Sequence, residues 1–392
     1  MNEDVSSQHG EDISYANPSI SLNESLTPSN CRKENSRDSI ENLHVLQRIP
    51  NTAFGIRMGL AGNAVLWKSA GRVDFLKSHL GSVELANGIL WHIALVVAVM
   101  TLLAYLYKMV YHFRVVVMEY RHPVRVHFFN APHLILIMLS LGVPSNMQSG
   151  SSTIPIQILF AIGLIFQFCI TQVIYERWMF CNQTPTMSEA KPQFFLSIIG
   201  WFLLTVLGND IDIDTNWGIS ISSFCFGIGC FMYVVILVNI FNGLSNDIQN
   251  KGSPALTLLI APPSVASIAI DGFAGNSDES NVIAQMALGW SLMVFTILIR
   301  LSPRLAAMPT ELGTYWAYVF PMASLSSACL NYTIAANSGV SQILAIISIV
   351  LATLALCIVF SRLVYHILLC WQHKARWGDS LLGIPSNIHS HN

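Results

Sequence analysis

Polar and apolar residues fall into long blocks along this chain. From residue 52 onward there are ten apolar stretches of roughly 20 residues each, the length a helix needs to cross a bilayer core. They cover about 52–70, 86–113, 126–144, 154–175, 192–208, 217–242, 253–271, 281–301, 313–336 and 341–371. The cleanest run, Leu312 to Ser361, passes fifty residues without an Asp, Glu, Lys or Arg. The pattern predicts an all-α polytopic membrane protein with ten transmembrane helices over 52–371, an integral membrane protein rather than a soluble one.

Composition supports the block reading. Only 11% of the 392 residues are charged and 53% are apolar, against about 25% charged in a typical soluble domain. The net charge of −2 is uninformative about partners, because the charges sit in tails and loops. No basic stripe points to nucleic acid. The eight cysteines form no CxxC pair and mostly lie in apolar stretches, where small buried hydrophobes are the ordinary expectation. No metal, phosphate-loop or dinucleotide pattern is present, so no cofactor is expected.

Residues 1–48 are rich in Ser, Asn, Asp and Glu. That composition buries too little apolar surface to offset chain entropy, which predicts a disordered tail. It lacks the charged-then-apolar start of a secretory signal peptide. Within it, Arg32-Lys33-Glu34-Asn35-Ser36 places basic residues ahead of Ser36, a pattern that could suit phosphorylation by a basophilic kinase but reads more readily as an ordinary solvated tail. Residues 372–392 form a short second tail.

Loop charges test the count of ten. The connections after the second, fourth, sixth and eighth stretches carry Arg114, Arg121 and Arg125; Arg177 and Lys191; Lys251; and Arg300 and Arg304. Those after the third, fifth, seventh and ninth carry no Lys or Arg. Such alternation fits an even number of spans with both termini cytoplasmic. One connection disagrees: Lys68, Arg72 and Lys77, at or after the end of the first stretch, would face outside.

Backbone breaks concentrate on the odd stretches. The third contains Asn130-Ala131-Pro132, the fifth opens at Lys191-Pro192 and holds Gly200, and the seventh contains Ala261-Pro262-Pro263-Ser264. The ninth contains Tyr315-Trp316-Ala317-Tyr318-Val319-Phe320-Pro321, and the first has Gly55, Gly59 and Gly62. Proline removes a backbone hydrogen bond and crowds the preceding turn. Within hydrocarbon such breaks are tolerated only against protein or a wet cavity, and small residues mark helix–helix contacts. Two layers follow: five inner (odd) helices around a passage, and five outer (even) helices facing lipid. Gly59, Pro132, Gly200, Pro263 and Pro321 would shape the kinks; tight packing alone would use the same residues.

The inner stretches offer hydroxyls and aromatics but almost no mid-span carboxylates or lysines. Proton-coupled pumps usually need such relays, and cation channels use carboxylate rings. His133, beside the Pro132 break, reads more readily as hydrogen-bonded packing than as a relay. Ser264 and Ser326 are candidate donors to a passing anion, or else partners in helix–helix or i−4 backbone bonds. Phe320 lies nine residues after Glu311, roughly 13 Å deeper at about 1.5 Å per residue, near the centre of a core about 30 Å thick. A ring there would block the passage; a core aromatic wedged against a kink is the plainer alternative. An enzyme would need a nucleophile, base or metal cluster, and none is visible, so no catalytic residues are assigned.

Five segments carry a family resemblance: Phe54-Gly55-Ile56-Arg57-Met58-Gly59-Leu60 with Ala64-Val65-Leu66-Trp67; His122 to Phe129 with Ala131-Pro132; Leu196-Ser197-Ile198-Ile199-Gly200; Ala261 to Ala269; and Tyr315 to Met322. In this order over 52–371 the chain resembles the slow-type anion channels of plant guard cells and, more distantly, the tellurite-resistance/dicarboxylate transporter family. The resemblance implies a homotrimer in the plasma membrane, with one pore per protomer and Phe320 occluding it. It implies chloride or nitrate as permeant ions and control by a protein kinase acting on the cytoplasmic tail. More distant members move malate or sulfite, so a secondary transporter or exporter of sulfite or a dicarboxylate is the alternative. Trp201 departs from the family, which has a smaller polar residue after the glycine, and would narrow the pore or reposition the gate.

Overall fold

The structure is a computed structural model that describes residues 54–122, 124–148, 154–180, 190–211, 215–251, 254–273, 278–306 and 312–372. Residues 1–48, with Ser36, and the tail from 373 lie outside the described residues. All regular structure among the described residues is helical. In chain order the α-helices are α1 (Phe54–Ala70), α2 (Asp74–His79), α3 (Val83–Tyr111), α4 (Phe113–Arg121), α5 (Ala131–Leu141), α6 (Ser145–Gln148) and α7 (Ile154–Phe180). They continue as α8 (Leu196–Asp210), α9 (Thr215–Lys251), α10 (Ala261–Phe273), α11 (Asp278–Ala306), α12 (Val319–Ala336) and α13 (Gly339–Gln372).

Seven of these segments are long and apolar enough to cross a membrane, and an eighth is added if Phe113–Arg121 and Arg125–Leu141, bent by 114°, count as one. In the two other expected ranges stand α1, with 17 residues, and α12, with 18.

Four tight 3-10 turns, Arg125–Asn130, Pro192–Phe195, Pro254–Leu259 and Leu312–Tyr318, lead into α5, α8, α10 and α12. Prolines explain where three of the four changeovers fall; at the fourth, Pro192 opens the 3-10 turn itself. Pro132, Pro262 with Pro263, and Pro321 occupy the first turns of α5, α10 and α12. There the missing N–H has no helical acceptor to lose, and a fixed φ favours the helix. The break therefore precedes each of these prolines. Phe320 itself lies within the first α-turn, not before the break.

Burial separates two layers. The most apolar parts of Pro192–Asp210 and Pro254–Phe273 are 83% and 78% buried, whereas that of Val83–Tyr111 is 11% buried. The corresponding parts of α7, α9, α11 and α13 are 28–33% buried. Contacts run α1–α5–α8–α10–α12 and return from α12 to α1, a closed ring of five. Each ring member also packs against a following outer helix: α1 on α3, α5 on α7, α8 on α9, α10 on α11 and α12 on α13.

Since lipid chains are as apolar as leucine, close backbone approach and buried polar bonds must hold the layers together. A Cβ on Gly59 would stand 3.0 Å from Trp316 and 3.0 Å from Val319, so α1 meets the start of α12 through a glycine. Gln167 of α7 bonds the His133 ring at 2.5 Å and donates to the Ser197 carbonyl at 2.6 Å, joining α5 and α8. Asn87 of α3 donates to the carbonyls of Ala64 and Gly142, 2.8 and 3.1 Å away. Lys108 of α3 pairs at 2.9 Å with Glu119 of α4, both buried, and Tyr105 donates to the same carboxylate at 3.1 Å.

Candidate functional site

Inside the ring lies a cavity of about 570 Å³, lined by all five inner helices together with Asn281 of α11. Its wall follows helical spacing. On α12 the lining residues include Phe320, Ser324, Ser327 and Asn331, at intervals of four, three and four, which place them on one face. On α1 the row runs Gly62, Val65, Lys68 and on to Arg72 just past the helix; on α8 it runs Leu203, Val206, Asn209 and Asp210. On α10 it is Val265, Ile268 and Asp271. The rows on α1, α8 and α10 begin apolar or small and reach Lys68, Asp210 and Asp271 at the other end, while the α12 row is polar from Ser324 to Asn331 and closes on Ile334 and Ala335. The first lining residues, Gly62, Met138, Leu203, Val265 and Phe320, make an apolar floor with one member from each inner helix.

Phe320 is 4% exposed and packed into that floor. A Cβ on Gly62 would stand 3.1 Å from its ring and 3.2 Å from the Met138 methyl. Absence of a side chain at Gly62 gives the ring its seat, and Phe320 borders the cavity together with Gly62 and Met138.

At the opposite end of the rows the charges gather. The Arg72 guanidinium stands 3.5 Å from the Asp210 carboxylate, with both side chains about half exposed. Lys68 donates to the Leu141 carbonyl at 2.7 Å, closing the end of α5, where a cation also complements the helix dipole. Ser324 and Ser327 donate to the Pro321 and Ala323 carbonyls at 2.9 and 3.0 Å. An anion would have to compete with those backbone bonds for the hydroxyl protons.

Other sequence-chosen residues stand elsewhere. Gly59, Pro132, Gly200, Pro263, Ser264, Pro321 and Ser326 are not among the residues lining this cavity. The Ser264 hydroxyl donates to the Ile260 carbonyl at 2.8 Å and meets the Ser291 hydroxyl of α11 at 3.1 Å. Ser326 lies 2.8 Å from the Met322 carbonyl and 2.7 Å from the Ser348 carbonyl of α13. Both serines serve contact between layers. At about 100° per residue, Ser326 is turned some 120° from Phe320, whereas Ser324 and Ser327 share its face. Gly200 faces α7, where an added Cβ would overlap the Gln167 carboxamide. Trp201 is buried and lines a separate apolar groove with α7 and α9, including Leu164, Phe168 and Phe224, so its bulk does not narrow the central cavity. His133 points to Gln167 of the outer layer.

Proximity to a helix break does bring out Gly62; the cavity residues it does not reveal include Lys68, Arg72, Asn209, Asp210, Asp271 and Asn331. One signal in the sequence does reach part of the wall: counting helical steps from Phe320 leads directly to Ser324, Ser327 and Asn331.

A family model described as voltage-dependent anion channel matches residues 48–364. Over 323 residues the chain is 28% identical to the S-type anion channel SLAH2 of Arabidopsis thaliana, covering 82% of this chain and 60% of that protein. It is 28% identical over 338 residues to the guard cell S-type anion channel SLAC1 of the same plant, covering 83% and 57%. The chain thus spans less than two thirds of the length of these relatives. A tellurite resistance protein TehA homolog of Haemophilus influenzae is 21% identical over 292 residues, with 72% of this chain and 81% of that protein covered.

Proposed function

Because the chain belongs to the voltage-dependent anion channel family, we propose that it is a passive channel for small inorganic anions such as chloride or nitrate, with Phe320 as the gate. The observation that carries the reading is the cavity bounded by five inner helices that stops at Phe320 on its Gly62 seat. The proposed architecture is ten spans with both termini cytoplasmic, as the alternation of loop cations indicates. The inner helices then run in one direction, and the cavity opens to the outside at its charged end. Assembly as a homotrimer in the plasma membrane and control by a kinase at Ser36 extend the reading on family resemblance and the Arg32-Lys33 pattern.

No lining carboxylate stands at the apolar floor; Asp210 and Asp271 lie at the far end of their rows. The constriction thus lacks the ring of carboxylates by which cation channels favour cations. The test is voltage clamp of the full chain in oocytes with chloride, nitrate and gluconate substitution. Reversal potentials should follow the anion gradient; reversal potentials that follow the cation gradient would overturn the proposal.

A second reading has one observation in its favour, since Asp210 and Asp271 do border the cavity. It is a coupled transporter or exporter of sulfite or a dicarboxylate such as malate. In liposomes, uphill anion movement driven by an imposed proton gradient would replace the channel by this reading.

A further inference from the structure

We infer that Lys68 and Arg72 form an outer recruiting site for the permeant anion, held in check by Asp210. The inference rests on the channel reading above and concerns the charged end of the same cavity. Two independent observations converge there. Lys68 and Arg72 belong to the one connection that breaks the alternation of loop cations. These same two cations line the cavity beyond its polar middle. Together with Asp210 they also line an adjoining recess of about 180 Å³, so they stand where two hollows meet.

The geometry of the pair is loose. Arg72 and Asp210 are 3.5 Å apart and both side chains remain substantially exposed, longer than the 2.7–2.9 Å of a tight charge-assisted bond. An arriving chloride or nitrate can displace the carboxylate from the guanidinium without creating a buried unpaired charge. Lys68 keeps its bond to the Leu141 carbonyl and adds a second positive charge to the wall. Asp210 is then an intramolecular competitor: its negative charge lowers the local anion concentration that the two cations raise. Charge lining a cleft with low-dielectric walls concentrates the opposite ion, and salt weakens the effect.

The decisive prediction is one of sign. A simple structural ion pair would make loss of either partner harmful in the same way. A recruiting site makes the two losses opposite. The experiment uses the full chain carrying Phe320→Ala, so that the vestibule limits flux, with surface protein measured in parallel. Arg72→Gln should lower anion influx from the outside about two- to fivefold at low ionic strength, Asp210→Asn should raise it by a similar factor, and Arg72→Lys should retain it. Both effects should shrink as outside salt rises toward 1 M, where the screening length is about 3 Å. Efflux should change less than influx, giving opposite rectification in the two variants. Changes in the same direction, or unchanged rectification at low salt, overturn the recruiting site while leaving the channel reading in place. Absence of anion current from every variant overturns the channel reading and this inference with it.

Discussion

Replacing Phe320 by alanine tests the gate most directly. The ring is 4% exposed, yet it is not packed on all sides: it rests on Gly62 and Met138, and it borders the 570 Å³ cavity. Truncating a fully packed phenylalanine costs about 3–5 kcal/mol. With one side open to the cavity, the packing energy forfeited when the ring swings aside is about half of that, and an off-rotamer penalty adds about 1 kcal/mol. A closing energy of about 2.5–3.5 kcal/mol, at about 1.4 kcal/mol per factor of ten, leaves the passage open roughly 0.3–2% of the time. Alanine removes the obstruction in every molecule, so basal anion current should rise about 60- to 300-fold per channel at the surface. Two-electrode voltage clamp in oocytes, normalised to surface-biotinylated protein, measures the ratio. Background current at normal surface density would refute the gate.

Three further perturbations probe the surroundings. Gly62→Ala pushes a methyl to about 3.1 Å from the ring, so it should unseat Phe320 and raise basal current several-fold; in a Phe320→Ala background it should add little, and full additivity would separate the two residues. Gly200→Ala drives a Cβ into the Gln167 carboxamide and to 2.9 Å from Leu134; overpacking of about 1–3 kcal/mol should lower the melting temperature in detergent while the anion preference of surviving channels stays unchanged. Lys108→Met leaves the Glu119 carboxylate buried with only Tyr105 as its described donor, a loss of about 3–5 kcal/mol, and adding Glu119→Leu should recover most of the melting temperature.

The layers are legible in the sequence because hydrocarbon leaves few choices. A stretch of twenty apolar residues must be helical, and a proline in it must be shielded from lipid. Asking which stretches tolerate irregular backbone therefore picks out the buried helices. Direction around each helix is harder to read. Proximity to a proline brings Ser264 and Ser326 forward, but proximity along a helix does not set facing, and both turn outward to α11 and α13. Gly200 and Trp201 mislead for a related reason. Their surroundings come from Gln167, Leu164 and Phe224 on outer helices, partners far away in the chain that no local pattern announces.

The changes from 3-10 to α winding explain why Phe320 holds the position it does. On α5, α8 and α10 the cavity wall begins some way beyond the changeover, at Met138, Leu203 and Val265, while α12 contributes Phe320 only one residue past Val319. Phe320 is therefore the lining residue that stands nearest to a 3-10 segment along its own helix. Before the changeovers the interior is filled by large side chains such as Trp316 and Phe195, 1% and 0% exposed, and Gly59 brings α1 against Trp316. A ring at this boundary has firm packing behind it and free volume ahead of it. Those are the two conditions for a side chain that closes a passage at rest and leaves at modest cost. A phenylalanine four residues further along α12, at Ser324, would face the cavity without that backing. The same displacement toward the changeover would bury it among rigid neighbours, with no space into which to move.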